Sequence, residues 1–215
     1  MITMRKWLIL SLITLLTLSM FTGCVSNAEK LESITGTWSI TTPAVESEVV
    51  KLLESLDAKE AEIALADQKS LHITQLVSFS GDGTYVFSYD VDAIRASVRK
   101  FFEGYFDALY AGRSTLNDVY ERDFTDTTVE EFRQFYAEFY DMASFQALID
   151  ELTAEAFDYE ILAQPREVGT FTLRGSRLYC TPQGQDQADI IGFELKDGKL
   201  RLNFADAIQV YEKVQ

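Results

Sequence analysis

One histidine, two cysteines and 34 carboxylates are the chain's chemically reactive side chains, and their spacing allows little chemistry. A Ser–His–Asp or Cys–His relay would have to use His72, which has no nucleophile motif beside it and falls on the polar side of an alternating segment. It reads as a structural histidine. Neighbouring carboxylates such as Glu130-Glu131 and Asp150-Glu151 point about 100° apart on a helix, so they make a solvated face and not an acid–base pair. Zinc prefers imidazole and thiolate, and this chain offers too few of either. Asp118, Glu121, Asp123 and Asp126 could meet around calcium, but EF-hand spacing is missing and Ser80-Gly81-Asp82-Gly83 is better explained as a turn. No glycine-rich loop leads into a helix, so there is no phosphate cradle. The expectation is a non-enzyme with no metal or organic cofactor.

The aromatic side chains are more suggestive. Ile94, Val98, Phe101, Phe102, Tyr105, Phe106, Leu109 and Tyr110 recur at helical spacing and end at Gly112. Val129, Phe132, Phe135, Tyr136, Phe139 and Tyr140 form a second such row, opened by Thr127 and Glu130 as a capping box. Rows of this kind mostly pack helices together. The hydroxyls of Tyr105, Tyr110, Tyr136 and Tyr140 nevertheless need partners, which keeps a ligand cavity open as a reading. Such a cavity should lie where helices meet sheet, lined by Trp38, Tyr85, Phe87, Phe102, Tyr105, Tyr136 and Tyr140.

The elements that must position these residues alternate between two periods. Gly36–Ile40 reads as a strand, and from Leu71 the apolar Leu71, Ile73, Val77 and Phe79 oppose His72, Thr74 and Ser78. Gly81-Asp82-Gly83 turns the chain into a strand carrying Tyr85, Phe87 and Tyr89 on one side. Further strands follow over 169–173, 177–181, 191–195, 200–204 and 208–210, with turns at Arg174-Gly175-Ser176 and Lys196-Asp197-Gly198-Lys199. The expected fold is α+β: an antiparallel β-barrel or bent sheet of about eight strands, with acidic helical insertions at 43–70 and 90–165. Thr42-Pro43 is expected to cap the first insertion, and an Ala/Glu-rich stretch to extend it through Gln68. A break near Asp141 to Ser144 precedes Phe145, Leu148, Ile149 and Leu152 on another helical face.

Charge divides along the same boundaries. Residues 24–89 carry 4 basic and 10 acidic side chains, 90–160 carry 6 and 17, and 161–215 carry 7 and 7. The acidity therefore belongs mainly to the aromatic middle, which holds 15 of the 27 aromatics. A net charge of −15 excludes nucleic acid as a partner, because nothing here could neutralise a run of phosphates.

The amino terminus carries a second kind of information. Arg5 and Lys6 precede an apolar stretch from Trp7 to Phe21, too short to span a bilayer comfortably. It ends Phe21-Thr22-Gly23-Cys24, which resembles the lipobox of bacterial lipoproteins, with Phe21 standing where leucine is usual. The resemblance implies a signal peptide over 1–23, diacylglycerol on the Cys24 thiol, and a further acyl chain such as palmitate on its amine. Two or more chains hold a protein on a membrane without a basic patch. Residues 24–35 then form a lipidated tether reaching about 40 Å when extended, and the domain occupies 36–215. With Cys24 modified, Cys180 has no disulfide partner; in Leu178-Tyr179-Cys180-Thr181 it shares a face with Leu178 and reads as a small buried hydrophobe.

The lipobox, Gly36-Thr37-Trp38, a helical excursion, Asp82-Gly83-Thr84-Tyr85, more helices, Gly169-Thr170-Phe171 and Arg177-Leu178-Tyr179 follow one another in an order similar to lipocalin-like surface lipoproteins of Gram-positive gut bacteria. The resemblance implies a lipocalin-like barrel whose tryptophan packs across the base, on the extracytoplasmic face of the cell membrane; those relatives bring no established activity. The expected function is a lipid-anchored, non-enzymatic binding protein of the cell envelope, a monomer holding a small apolar ligand between sheet and helices. The alternative is a structural or interaction lipoprotein whose acidic helical face docks a cationic envelope partner.

Overall fold

The computed structural model describes residues 26–205 and 207–214. The signal segment 1–23 and Cys24 lie outside the described residues. Eight antiparallel strands close into an up-and-down barrel: β1 (Gly36–Pro43), β2 (His72–Phe79), β3 (Thr84–Tyr89), β4 (Glu167–Arg174), β5 (Arg177–Pro182), β6 (Asp189–Lys196), β7 (Lys199–Asn203) and β8 (Ile208–Lys213). Every expected strand is present, each paired with its sequence neighbour. Closure comes from Trp38 and Ser39 of β1 against Lys213 and Glu212 of β8.

The side-chain period of two assigns the faces. Trp38 pairs with Val77, Val77 with Phe87, Phe171 with Cys180, and Phe193 with Leu202, all pointing inward. These residues, with Phe79, Tyr85, Leu178, Ile191, Leu200 and Tyr211, form the barrel core. Outside, Thr37 bonds Ser78 and Thr41 bonds Thr74 hydroxyl to hydroxyl across the β1–β2 ladder, each at 2.9 Å.

The two ends of the barrel differ. At the base the connections β2–β3, β4–β5 and β6–β7 are tight turns; Asp197 and Gly198 at φ 55° and 74° supply the left-handed pair that a short hairpin needs. This end is plugged by α1 (Asn27–Ile34), with Ile34 fully buried. The Trp38 indole N–H donates to the Ile34 carbonyl at 2.7 Å, and Lys30 Nζ donates to the Gly175 carbonyl. Within the expected tether, Ser26 and Glu29 form a capping box that starts a helix over Asn27–Ile34, so that stretch is not extended.

At the opposite end, the mouth, the β1–β2 and β3–β4 connections carry the helical insertions, while six residues join β5 to β6 and four join β7 to β8. Between β1 and β2 lie α2 (Glu46–Ser55) and α3 (Glu60–Leu65). Between β3 and β4 lie α4 (Val91–Ala111), a 3-10 turn (Arg113–Leu116), α5 (Asn117–Tyr120), α6 (Val129–Phe139), α7 (Phe145–Glu155) and α8 (Tyr159–Leu162). They enclose a second core around Phe101, Phe102, Phe106, Leu109, Phe124 and Phe132. No helix among the described residues is long and apolar enough to cross a membrane.

Three local expectations are corrected. Thr42 and Pro43 pair with Ile73 and His72 at the end of β1, so α2 starts after Val45 without a side-chain cap. The first insertion is two helices, because Asp57 takes φ 60° and breaks the run, and α3 ends at Leu65, short of Gln68. The capping box of α6 uses Thr128 and Glu131; Thr127 and Glu130 satisfy the same four-residue pattern, but the Thr127 amide turns back to the Phe124 carbonyl.

Candidate ligand-binding site

The fold divides the seven aromatic candidates. Trp38 and Tyr85 are buried in the barrel core, whereas Phe102, Tyr105, Tyr136 and Tyr140 belong to the helical core. They do not share one pocket, and Phe87 alone of the seven lines either of the two cavities at the mouth. The aromatic row therefore packs helices, through edge-to-face contacts such as Phe106–Tyr136 and Phe124–Phe132.

Within the helical core, the buried hydroxyls converge on a carboxylate. Glu62 of α3 is 1% exposed; its Oε1 accepts Tyr120 Oη at 2.6 Å and Tyr136 Oη at 2.5 Å, while Oε2 accepts the Lys59 amide at 2.8 Å. Burial first, then the Glu62 charge, pushes Tyr136 far above the ordinary phenol range, so both partners stay donors. The sequence signal was Glu62 at the third position of an acidic helix start, where its role as acceptor for two distant tyrosines leaves no trace. Glu62 fastens α3 to α5 and α6.

The mouth itself is divided into two halves. On the β1–β3 side the uppermost inward residues Thr42, Ile73, Gln75 and Tyr89 lie under a roof of helices. Val45, Val49 and Leu52 of the α2 segment, Ile94 of α4, and Ala156, Phe157 and Leu162 complete an apolar cavity of about 520 Å³. On the other side no helix joins the lining, and this half is open in that sense alone, because both cavities meet solvent to a similar extent. There Phe87, Glu167, Cys180, Asp189, Phe204, Gln209 and Tyr211 surround about 480 Å³, with Arg166 at the rim. Gln75 borders both spaces.

Charge is concentrated in the open half. Glu167 shares the inward parity of Gly169 and Phe171, and Asp189 that of Ile191 and Phe193. Tyr85 Oη donates to Glu167 Oε1 at 2.5 Å, a contact made possible by Gly169: a Cβ there would sit 2.7 Å from the Tyr85 ring and 2.3 Å from the Thr181 carbonyl oxygen. Tyr211 Oη donates to Gln209 Oε1 at 2.6 Å. Cys180, on the same inward face as Leu178, is 2% exposed, and burial followed by Glu167 and Asp189 pushes its thiol up to about 12. It is a neutral floor, not a nucleophile. The Arg166 guanidinium lies over the Tyr89 ring at 5.1 Å, and no ion pair to Glu167 or Asp189 exists among the described residues.

Glu167 and Asp189 were not among the sequence candidates, because each precedes the apolar alternation from which its strand was recognised. Extending the period of two backward by one step would have placed both inside the barrel. The remaining chemical candidates are used structurally. The His72 ring Nδ1 bonds the Ser70 carbonyl at 2.9 Å, and Asp123 Oδ1 accepts the Thr125 amide at 2.9 Å within its own loop. Among the described residues no group of three or more histidines, cysteines or acids is placed to hold a metal ion. Compared with protein-family models, curated proteins and solved structures, the chain matches none.

Proposed function

We propose that the chain is a lipid-anchored, extracytoplasmic binding protein of the cell envelope that holds a small apolar ligand between barrel and helices, without catalysing a reaction. The observation that carries the ligand reading is the roofed cavity of about 520 Å³ at the junction of β1–β3 with α2, α7 and α8. Its walls are mainly aliphatic and aromatic, with Thr42, Ser55, Gln75 and the exposed Glu48–Lys51 ion pair as the polar groups of the lining, a mixture found in small-molecule sites. The anchor rests on the sequence alone, on Gly23-Cys24 after the apolar segment.

Native mass spectrometry of the protein released from its own membrane tests the ligand reading. A wild-type mass carrying a bound small molecule, lost in Leu52→Asp, is the expected result. A bare polypeptide plus acyl groups would overturn it. Cys24→Ala should release the protein from the membrane fraction; retention would remove the anchor. A docking role for the acidic lobe has its own support, in Phe139, half exposed on α6, the helix that also carries Glu130, Glu131 and Glu138. Binding there would weaken steeply with salt.

A further inference from the structure

We propose that the ligand is an amphiphile with a protonated amine head, its apolar body in the roofed half of the mouth and its head in the open half, between Glu167 and Asp189. This rests on the ligand-binding reading above and names the ligand class. Three observations carry it.

The two cavities are neighbours on one barrel rim, both bordered by Gln75. A ligand occupying one has its end at the other. Their linings differ in kind: the roofed half is walled by residues such as Leu52, Ile73 and Phe157, while the open half carries two inward carboxylates over an aromatic wall. An apolar tail and a polar head match that division.

The sign of the head follows from the charges. Glu167 is half-buried, and one of its oxygens is occupied by the Tyr85 hydroxyl, which leaves the other free to accept. Asp189 faces the same space from the neighbouring side of Cys180, its register partner. Neither is ion-paired among the described residues, and the one cation in the lining, Arg166, is held over Tyr89 at the rim. A carboxylate head would be repelled, whereas an ammonium offers three donors to acceptors already in place. The half-buried setting of Glu167 strengthens its share of that attraction relative to water, whereas Asp189 is exposed.

The test is isothermal titration of the full chain held in amphipol, with empty amphipol as the blank, using decylamine, decanol and decanoate. Decylamine should bind one to one, at least ten-fold more tightly than decanol, with decanoate weaker still. Asp189→Asn, at an exposed position that leaves the fold intact, and Glu167→Gln, which keeps an acceptor for Tyr85, should each bring decylamine several-fold closer to decanol. Raising NaCl from 20 to 500 mM should weaken decylamine and leave decanol unchanged. Equal binding of all three probes, unmoved by either variant or by salt, overturns the amine head while the apolar-ligand reading stands. Binding of none overturns both.

Discussion

Gly169 shows how one missing methyl group positions a charge. Only without a Cβ can the Tyr85 ring lie against the β4 backbone and bring its hydroxyl to Glu167. Gly169→Ala should therefore force the ring or the Thr181 carbonyl aside, at a cost of about 1–3 kcal/mol or more, measured as a lowered urea midpoint at unchanged slope. A variant as stable as wild type would mean that the strand relaxes freely. The composition of this region was visible in the sequence, since Gly169-Thr170-Phe171 marks the strand. That Glu167 is an inward residue was not, because a strand was recognised only where apolar alternation began. Polar residues at the rim of a barrel obey its geometry but carry none of the hydrophobic signal.

At the level of elements, the parity of most strands was legible, because period-two alternation survives in a barrel with one dry face; β8 is the exception, since its apolar Ile208 and Val210 face outward while Gln209 and Tyr211 line the interior. Helix starts were less so. Thr127/Glu130 and Thr128/Glu131 fit one pattern, and only the Phe124 turn decides between them. The least expected element is α1, hidden in a segment too polar to look like part of the core. Its one buried residue makes a strong prediction: Ile34→Ala empties the plug beneath Trp38 and should cost about 2–4 kcal/mol by thermal or urea unfolding. A loss under 1 kcal/mol would show that α1 is dispensable to the barrel. The caps predict a pH response. Backbone and hydroxyl hydrogen bonds from Ser26 and Thr128 hold Glu29 and Glu131 below their ordinary 4.5. Folding thus binds their protons more weakly than the unfolded chain does, so the stabilisation is present above pH 4.5 and fades as pH falls through the lower folded-state values. Between pH 6 and pH 3, Glu29→Gln with Glu131→Gln should lose less stability than wild type. Parallel curves would dissociate the caps from acid unfolding.

Over the whole molecule, the aromatic residues are partitioned between two cores, one inside the barrel and one inside the acidic helical lobe. Sequence could not separate them, since phenylalanine and tyrosine look alike whichever core they enter. The division predicts separable unfolding. Glu62→Ala strands the Tyr120 and Tyr136 hydroxyls and should cost about 2–5 kcal/mol, expressed as faster amide exchange across residues 91–162 with the barrel strands still protected. Glu62→Gln, which retains an acceptor, should be milder. Simultaneous loss of protection in both parts would mean a single cooperative unit. The barrel's polarity has a further consequence. Two residues, Val25 and Ser26, separate Cys24 from α1, and α1 plugs the base. If Cys24 is acylated as proposed, the base would face the bilayer and the rim would lie roughly 20 Å or more from it by the length of the strands. On the proposed reading, a ligand would then reach the rim by diffusion through water and not by extraction from the lipid. The lobe around the rim, with 17 acidic against 6 basic side chains over 90–160, would act as a funnel, enriching cations at the entrance and discouraging anions before any contact is made.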